Sequence, residues 1–376
     1  MKTTLWWRSI DKTLFFIIFG LILFGILLIN VSTQSVALRI GVNYYNFINK
    51  QIIFVILGAA LILMISTVRS DYLEKFCILG FCTFLLCLVA VNFFGFETKG
   101  AKRWLSIAGS SFQPSEFIKP FFIVINAMLL SKNHISFNRS RILIPNNKRF
   151  VISASLYLLI SILLVLQPDF GMFILFSMIW FVQIFTAGIS YALIWVFFGI
   201  GLSSVTLAYF FLSHVRYRID MFIQKTEINY QVSKSLLAFK NGGLFGVGLG
   251  EGMVKRSLPD SHTDFIFAVA GEEFGAMFCI MILTFFVLML IKLIAFCIRI
   301  EDRFVVLSVA GLSAQIFLQV FINIGVSLDL LPTKGMTLPL ISYGGSSTLA
   351  ICILFGLILN FSRSNILHSY KLKLKA

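Results

Sequence analysis

Apolar residues run through this chain in blocks too long for strands or ordinary globular helices. Ten such blocks fall at roughly 13–33, 51–68, 75–96, 115–131, 150–166, 170–188, 190–212, 265–298, 303–326 and 340–362. A block of about 18 residues or more can span the hydrocarbon core of a bilayer as a helix. The pattern therefore predicts an all-α polytopic membrane protein with about ten transmembrane helices, built as one integral-membrane domain over 1–376. The blocks either side of "FTAGISYAL" form one apolar run, divided at Gly188. "SVA" at Ser35 to Ala37 could pass for a signal-peptidase site, but the stretch from Leu14 to Val31 is long for the core of a secretory signal and is read as an uncleaved first helix.

The polar intervals give the helices a direction. An even number of spans puts both termini on one side. The loop "SKNHISFNRSRILIPNNKR" carries five basic residues and no acid, and the tail "YKLKLKA" is basic too. Basic loops favour the cytoplasm, which gives an N-in, C-in arrangement. The outer face then holds "ETKGAKRWLSIAGSSFQPSEFIK", "QPDFG", a large loop at 213–264 between helices 7 and 8, and "LLPTKGMTLPLISYGGSS". Irregular backbone near membrane depth is tolerated where it is buried in protein or lines a wet cavity. Any chemistry is expected to face outward.

Composition agrees with this picture: the chain is 59% hydrophobic and has 42 Phe against 16 Asp plus Glu, too little polar surface for a soluble protein of 376 residues. The +15 net charge fits topology and anionic lipids or substrates rather than nucleic acid. All six cysteines lie inside apolar runs, where packing is their expected role, and the four histidines are scattered without metal-type spacing.

Titratable residues cluster where helices meet the outer face. "LPDSHTDFIFAVAGEEFG" places Asp264 just ahead of a long apolar run. As a helix cap it would contribute about 1 kcal/mol; as a carboxylate at the mouth of a cavity, partial desolvation would suit it to accept a proton. On an ideal helix Glu272 lies about 80° around from Asp264 and Glu273 opposite, so Glu272 is the one placed to support a site. Glu116 and Lys119 share a helix face, as an internal ion pair or a substrate contact. Asp169 caps the next helix or contacts substrate. Lys99, Lys102, Arg103, Arg216, Arg218 and Lys240 are solvated loop cations or phosphate contacts, arginine being suited to bidentate binding. Trp104 stacks on a sugar or anchors at the interface. "NGGLFGVGLGEG" has no βαβ setting and reads as flexible glycine turns, and "SYGGSS" as the broken start of a helix.

Taken in order, "KGAKRWL…FQPSEFIK", "QPDFG", "RYRI…YQ…GG…GVGLG", "LPDSHTDFIFAVAGEEFG" and "LPTKGMTLPLISYGGSS" resemble the motifs of the SEDS family of bacterial membrane proteins (shape, elongation, division and sporulation). They cover about Lys99 to Ser347, and the last two are most like the family's division member. "RIDMFIQKTEINYQ" departs from the pattern by lacking a proline soon after the Phe.

The resemblance implies a peptidoglycan glycosyltransferase that polymerises lipid II into glycan strands during septal wall synthesis. Asp264 matches the family's catalytic aspartate and would act as general base toward the acceptor hydroxyl, worth about 10²–10⁴ in rate. Arg103, Lys119, Arg216 and Arg218 would neutralise the departing polyprenyl pyrophosphate. Lys102, Trp104, Glu116, Asp169, His262, Glu272, Ser342 and Ser346 complete the expected substrate contacts. An α-linked donor giving a β-linked product implies inversion without a covalent intermediate. A divalent cation such as Mg2+ would share the leaving-group charge, although no ligand spacing singles out a metal site. Implied partners are lipid II, the growing strand, a class B penicillin-binding protein transpeptidase, other division membrane proteins and membrane lipids. The implied location is the cytoplasmic (inner) membrane at the septum. Two rival readings stand beside this one: a lipid II flippase or secondary transporter, and a non-catalytic division scaffold.

Overall fold

The computed structural model describes residues 2–41, 43–98, 101–107, 110–131, 148–188, 191–213, 215–216, 219–220 and 230–373. Lys99, the basic loop 132–147 and Arg218, all singled out above, lie outside the described residues. A short helix α1 (Lys2–Ser9) precedes ten long ones that follow the ten apolar blocks. These are α2 (Lys12–Ile40), α3 (Tyr44–Thr67), α4 (Ser70–Phe94), α5 (Pro114–Ser131), α6 (Lys148–Leu166), α7 (Phe170–Thr186) and α8 (Tyr191–Phe211). A helix of the loop that follows α8, α9 (Tyr230–Gly242), comes next, then α10 (Ile266–Arg299), α11 (Arg303–Ser327) and α12 (Gly345–Lys373). Among the described residues, eight helices are long and apolar enough to cross a membrane. The other two, α7 with 17 residues and α8 with 21, fill the remaining apolar blocks.

Three helices outrun their apolar blocks: α12 continues past 362 to Lys373, and α2 and α3 do so for a local reason. α2 continues through Ser32, Thr33 and Ser35 because these hydroxyls turn back onto its own carbonyls: Thr33 Oγ1 donates to Ile29 O at 2.7 Å and Ser35 Oγ to Ser32 O at 2.8 Å. α3 starts at Tyr44 because Asn43 caps it, accepting the Tyr45 N–H at 3.1 Å. Gln51, polar and buried, then bonds to Thr348 Oγ1 and to the Gly344 N–H, both at 3.3 Å.

The fold also contains a small antiparallel sheet in the order β1 (Phe96–Thr98), β2 (Ala101–Ile107), β3 (Ser110–Phe112), which the hydropathy pattern does not foretell. Glu97 pairs with Lys102 and Ser106 with Ser111. β2 packs on α4 and α5, with Ala101 and Leu105 buried.

The chain divides into two compact units. One comprises Met1–Val68, Met221–Phe296 and Ile316–Ala376; the other comprises Arg69–Asp220 and Cys297–Gln315. In the first, α3 lies along α12. An apolar cluster of Ala238, Leu258, Phe265, Ala268, Val269 and Val326 ties α9, the loop before α10, α10 and α11 together. In the second, α5 is the central helix, buried nearly all round although it carries Glu116, Lys119 and Asn126. Asn126 donates to Gln183 Oε1 at 2.9 Å, and Gln183 donates to Ile123 O at 2.8 Å. These amides thereby meet one another's needs inside the bundle.

Candidate active site

In the first unit the chain makes a tight turn before α10. The amides of Thr263, Asp264 and Phe265 all return to the carbonyl of Asp260. Phe265 is driven into the apolar cluster, while Asp264 beside it is left half-buried. The first helical residue is Ile266, so Phe265 occupies the cap position and Asp264 precedes it.

Two other segments hold this turn. Asn323 of α11 donates to Asp264 O at 2.8 Å and to Met336 O at 2.6 Å. Ser342 donates to Thr263 O at 2.6 Å and accepts the Leu338 N–H at 2.8 Å, and the Tyr343 N–H donates to His262 O at 2.9 Å. The rings of His262, Tyr343 and Phe47 meet at 5.2 to 5.9 Å between centroids. Burial pushes the Tyr343 phenol above its ordinary range. Gly335 lies against Asp264: a Cβ there would stand 2.7 Å from Asp264 Oδ2. His262, Asp264 and Ser342 thus form one stitched assembly. Ser346 is buried in the first turn of α12.

Glu272 and Glu273 do something else. α10 is broken at Gly275, whose φ of 80° is open to glycine and strained for other residues. The glycine-rich loop fills the break. The amides of Val247 and Gly248 donate to the carbonyls of Glu272 and Glu273, and those of Ala276 and Met277 donate to Gly243 O and Leu244 O. Every backbone group freed at the break and named here is therefore satisfied by another part of the chain, as membrane depth demands. The side chains repeat the pattern. Glu272 accepts from Val254 N at 2.7 Å, Lys255 N at 2.8 Å and Asn241 Nδ2 at 3.1 Å. Glu273 accepts from Gly252 N at 3.1 Å and meets Lys255 Nζ at 2.6 Å, both side chains being sealed from solvent. The oxygens of Glu272, named above as a substrate contact, are occupied in holding the loop to the helix. "NGGLFGVGLGEG" is an interlocking segment rather than a set of flexible turns.

The second unit carries the other candidates. Arg103 on β2 is aimed at the "QPD" turn: Nη2 donates to Pro168 O and Nε to Gln167 O at 3.4 Å, with Asp169 Oδ2 at 3.8 Å. Asp169 caps α7 by accepting the Met172 N–H at 3.3 Å, and also accepts from Gln113. Lys119 and Glu116 pair at 2.8 Å, with Lys119 completely buried and also touching Met172 Sδ. The structure therefore gives Asp169, Glu116 and Lys119 the internal roles that stood as their alternatives. Trp104 is partly buried and Lys102 exposed, both on β2. Arg216 meets Asp220 at 3.6 Å and lies 5.7 Å from the Tyr209 ring, largely in solvent. Among the described residues no three His, Cys, Asp or Glu side chains form a group able to hold a metal ion.

Residues 12–366 match the family model for FtsW, RodA and SpoVE, described as cell cycle protein. The chain belongs to that family. Its relatives include the probable peptidoglycan glycosyltransferase FtsW of Caulobacter vibrioides, 33% identical over 361 residues, covering 96% of this chain and 90% of that one. The protein of the same name from Legionella pneumophila is 31% identical over 369 residues, covering 94% and 91%. Among solved structures, RodA of Thermus thermophilus superposes with a TM-score of 0.67 at 26% identity, covering 95% of this chain and 98% of that one. A chain of a peptidoglycan synthase complex superposes with a TM-score of 0.76 at 24% identity, covering 94% and 98%, a likeness of fold. This is the SEDS family that the ordered motifs resemble, and the relatives matched carry the division name.

Against the family's motifs, two residues with clear tasks went unnoticed in the sequence. Lys255 sits in "KRSLPDSHTD", where a basic pair reads as solvated, yet its Nζ neutralises Glu273. Asn323 lies in the apolar run of α11, where Gln315, Gln319 and Asn323 recur every four residues, and that stripe of buried carboxamides in a spanning helix is the signal that could have marked it.

Proposed function

We propose that this chain is a peptidoglycan glycosyltransferase that polymerises lipid II during septal wall synthesis, with Asp264 as the general base. The acceptor sugar hydroxyl loses its proton to the Asp264 carboxylate as its oxygen attacks the anomeric carbon. The pyrophosphate of the donor's polyprenyl carrier departs from the opposite face. The observation that carries the reading is the Asp264 turn: a half-buried carboxylate just ahead of a spanning helix, its backbone fixed by Asn323 and its neighbour Thr263 by Ser342. General-base work needs that kind of fixed placement. Membership of the family and the names of its relatives support the same activity. The reading also takes the molecule as one catalytic domain in the cytoplasmic membrane at the septum, N-in and C-in, with Asp264 on the outer face. A transpeptidase partner of the class B penicillin-binding type would cross-link the product. A related fold occurs in a peptidoglycan synthase complex that coordinates polymerization with crosslinking.

The experiment is polymerisation of purified lipid II by the purified chain, with and without that partner. Asp264→Asn should abolish product while the protein still inserts and stays folded. Polymerisation at the parent rate by a folded Asp264→Asn protein would overturn the assignment. A flippase would make no polymer in either form, and lipid II transport would change instead.

A further inference from the structure

Asn323 is buried in α11, and its single Nδ2 group serves two backbone carbonyls at once, Asp264 O at 2.8 Å and Met336 O at 2.6 Å. Those carbonyls belong to separate stretches of chain. One is the turn that presents Asp264. The other is the irregular segment before α12, in which Gly335 adjoins Met336 and rests against Asp264 Oδ2. The amide that sets the backbone of Asp264 therefore also sets the backbone wall beside its carboxylate. Asn323 Oδ1 is buried and has no partner among the described residues. A polar atom left unsatisfied in a spanning helix is costly, so the side chain is held there by its two donors rather than by its acceptor. No other residue of this shape supplies them. Leucine fills the space with no donor, and aspartate turns oxygen toward two carbonyls.

We propose that Asn323 is a positioning residue for glycosyl transfer, one carboxamide that fixes Asp264 and the surface its carboxylate rests on. The inference rests on the reading of Asp264 as the base. Misplacement of a reacting group by about 1 Å can cost about 100-fold in rate. Losing both donors should lower kcat, leaving the KM for lipid II nearly as it was, because Asn323 itself lies beneath the turn rather than against a ligand.

The test uses the full-length chain and lipid II turnover at saturating and limiting substrate, scaled to folded protein. Asn323→Leu and Asn323→Asp should each lower kcat by about 10- to 100-fold with KM within about twofold of the parent. Ser327→Ala is the comparison: it removes a buried hydroxyl bonded to the Asn323 carbonyl at 2.9 Å, one turn further along, without touching either donor. It should turn over at the parent rate. Should the Asn323 variants fail to fold, Gly335→Ala tests the same wall while keeping the carboxamide, and it too should lower kcat with KM kept. The inference is overturned if the folded variants at Asn323 and Gly335 work at the parent rate, or if Ser327→Ala falls as far as they do. Parent-rate Asn323 variants beside an inactive Asp264→Asn protein would reject the positioning role alone. An active Asp264→Asn protein would reject the base itself.

Discussion

Asp264 and the pair Glu272–Glu273 are separated by fewer than ten residues, are all carboxylates, and occupy opposite situations. Asp264 is half-buried in a turn ahead of α10. Glu272 and Glu273 are sealed within it, their oxygens committed to the amides of Gly252, Val254 and Lys255 and to the Lys255 ammonium. A buried carboxylate held by several donors is a structural clamp, since removing its partners would strand a charge in low dielectric. A carboxylate still in reach of solvent, with its backbone fixed from behind, is one that can change partners during a reaction. Proximity in sequence to the proposed base therefore says little about role here; what separates the three is burial, Asp264 being within reach of solvent and the two glutamates sealed from it.

The largest effect that could break this contrast is on activity. Asp264→Asn should cost about 10²–10⁴-fold or more in polymerisation and little in stability. Glu272→Gln should do the reverse, lowering the yield and thermal stability of folded protein while the surviving fraction keeps its turnover. Lipid II turnover per folded molecule, with thermal unfolding in detergent, separates the two. If Glu272→Gln folds like the parent and loses turnover, the clamp reading of Glu272 is wrong and its expected place at the substrate returns.

The next effect is one of charge. Glu273→Gln leaves the buried Lys255 ammonium uncompensated and should cost about 3–5 kcal/mol of stability. A double change, Glu273→Gln with Lys255→Met, should recover much of that loss, because a pair removed together leaves no stranded charge. The pair in the second unit predicts the same pattern: Glu116→Gln alone should destabilise, and Glu116→Gln with Lys119→Met should restore. If Lys119 served the leaving pyrophosphate, the double variant would regain stability but not turnover.

Much of the fold could be read in advance because a bilayer dictates helix length. The ten apolar blocks and the ten long helices coincide to within a few residues, apart from ends set by hydroxyls that satisfy themselves, such as Thr33, or by a cap such as Asn43, and apart from α12, which runs on to Lys373. The sheet at 96–112 was hidden because its outer strands have three residues each and its seven-residue middle strand, "AKRWLSI", does not alternate strictly between apolar and polar. The break in α10 was hidden for a different reason: Gly275 is an unremarkable glycine in an apolar run, and what opens the helix there is a glycine-rich loop thirty residues earlier in the chain. Its repeated glycines were visible, their target was not. At the site, motif order pointed to Asp264, His262 and Ser342, and the structure joins them. It could not show that the oxygens of Glu272 hold a distant loop, nor find Asn323, whose partners are carbonyls that every residue possesses.

The smallest expected effect concerns the arginines, and it sharpens the comparison between buried and solvent-exposed groups. Arg103 spends Nε and Nη2 on the carbonyls of Gln167 and Pro168 and lies near Asp169, whereas Arg216 sits largely in solvent with Asp220 at 3.6 Å. Arg103→Ala should therefore cost about 1.5–3 kcal/mol, seen mainly as lost stability of the "QPD" turn, and Arg103→Lys should recover only part of it, because a point charge cannot replace the planar fork. An exposed ion pair contributes between nothing and about 1 kcal/mol, so Arg216→Ala should leave stability within about 0.5 kcal/mol of the parent. That makes Arg216 the cleaner probe of leaving-group charge: any loss of turnover in its alanine variant cannot be blamed on the fold. If Arg216 meets the pyrophosphate, Arg216→Ala should lower turnover at low ionic strength, with the gap from the parent closing as salt screens the contact. Equal turnover at every ionic strength would assign Arg216 to the solvated surface and leave neutralisation of the pyrophosphate to other groups.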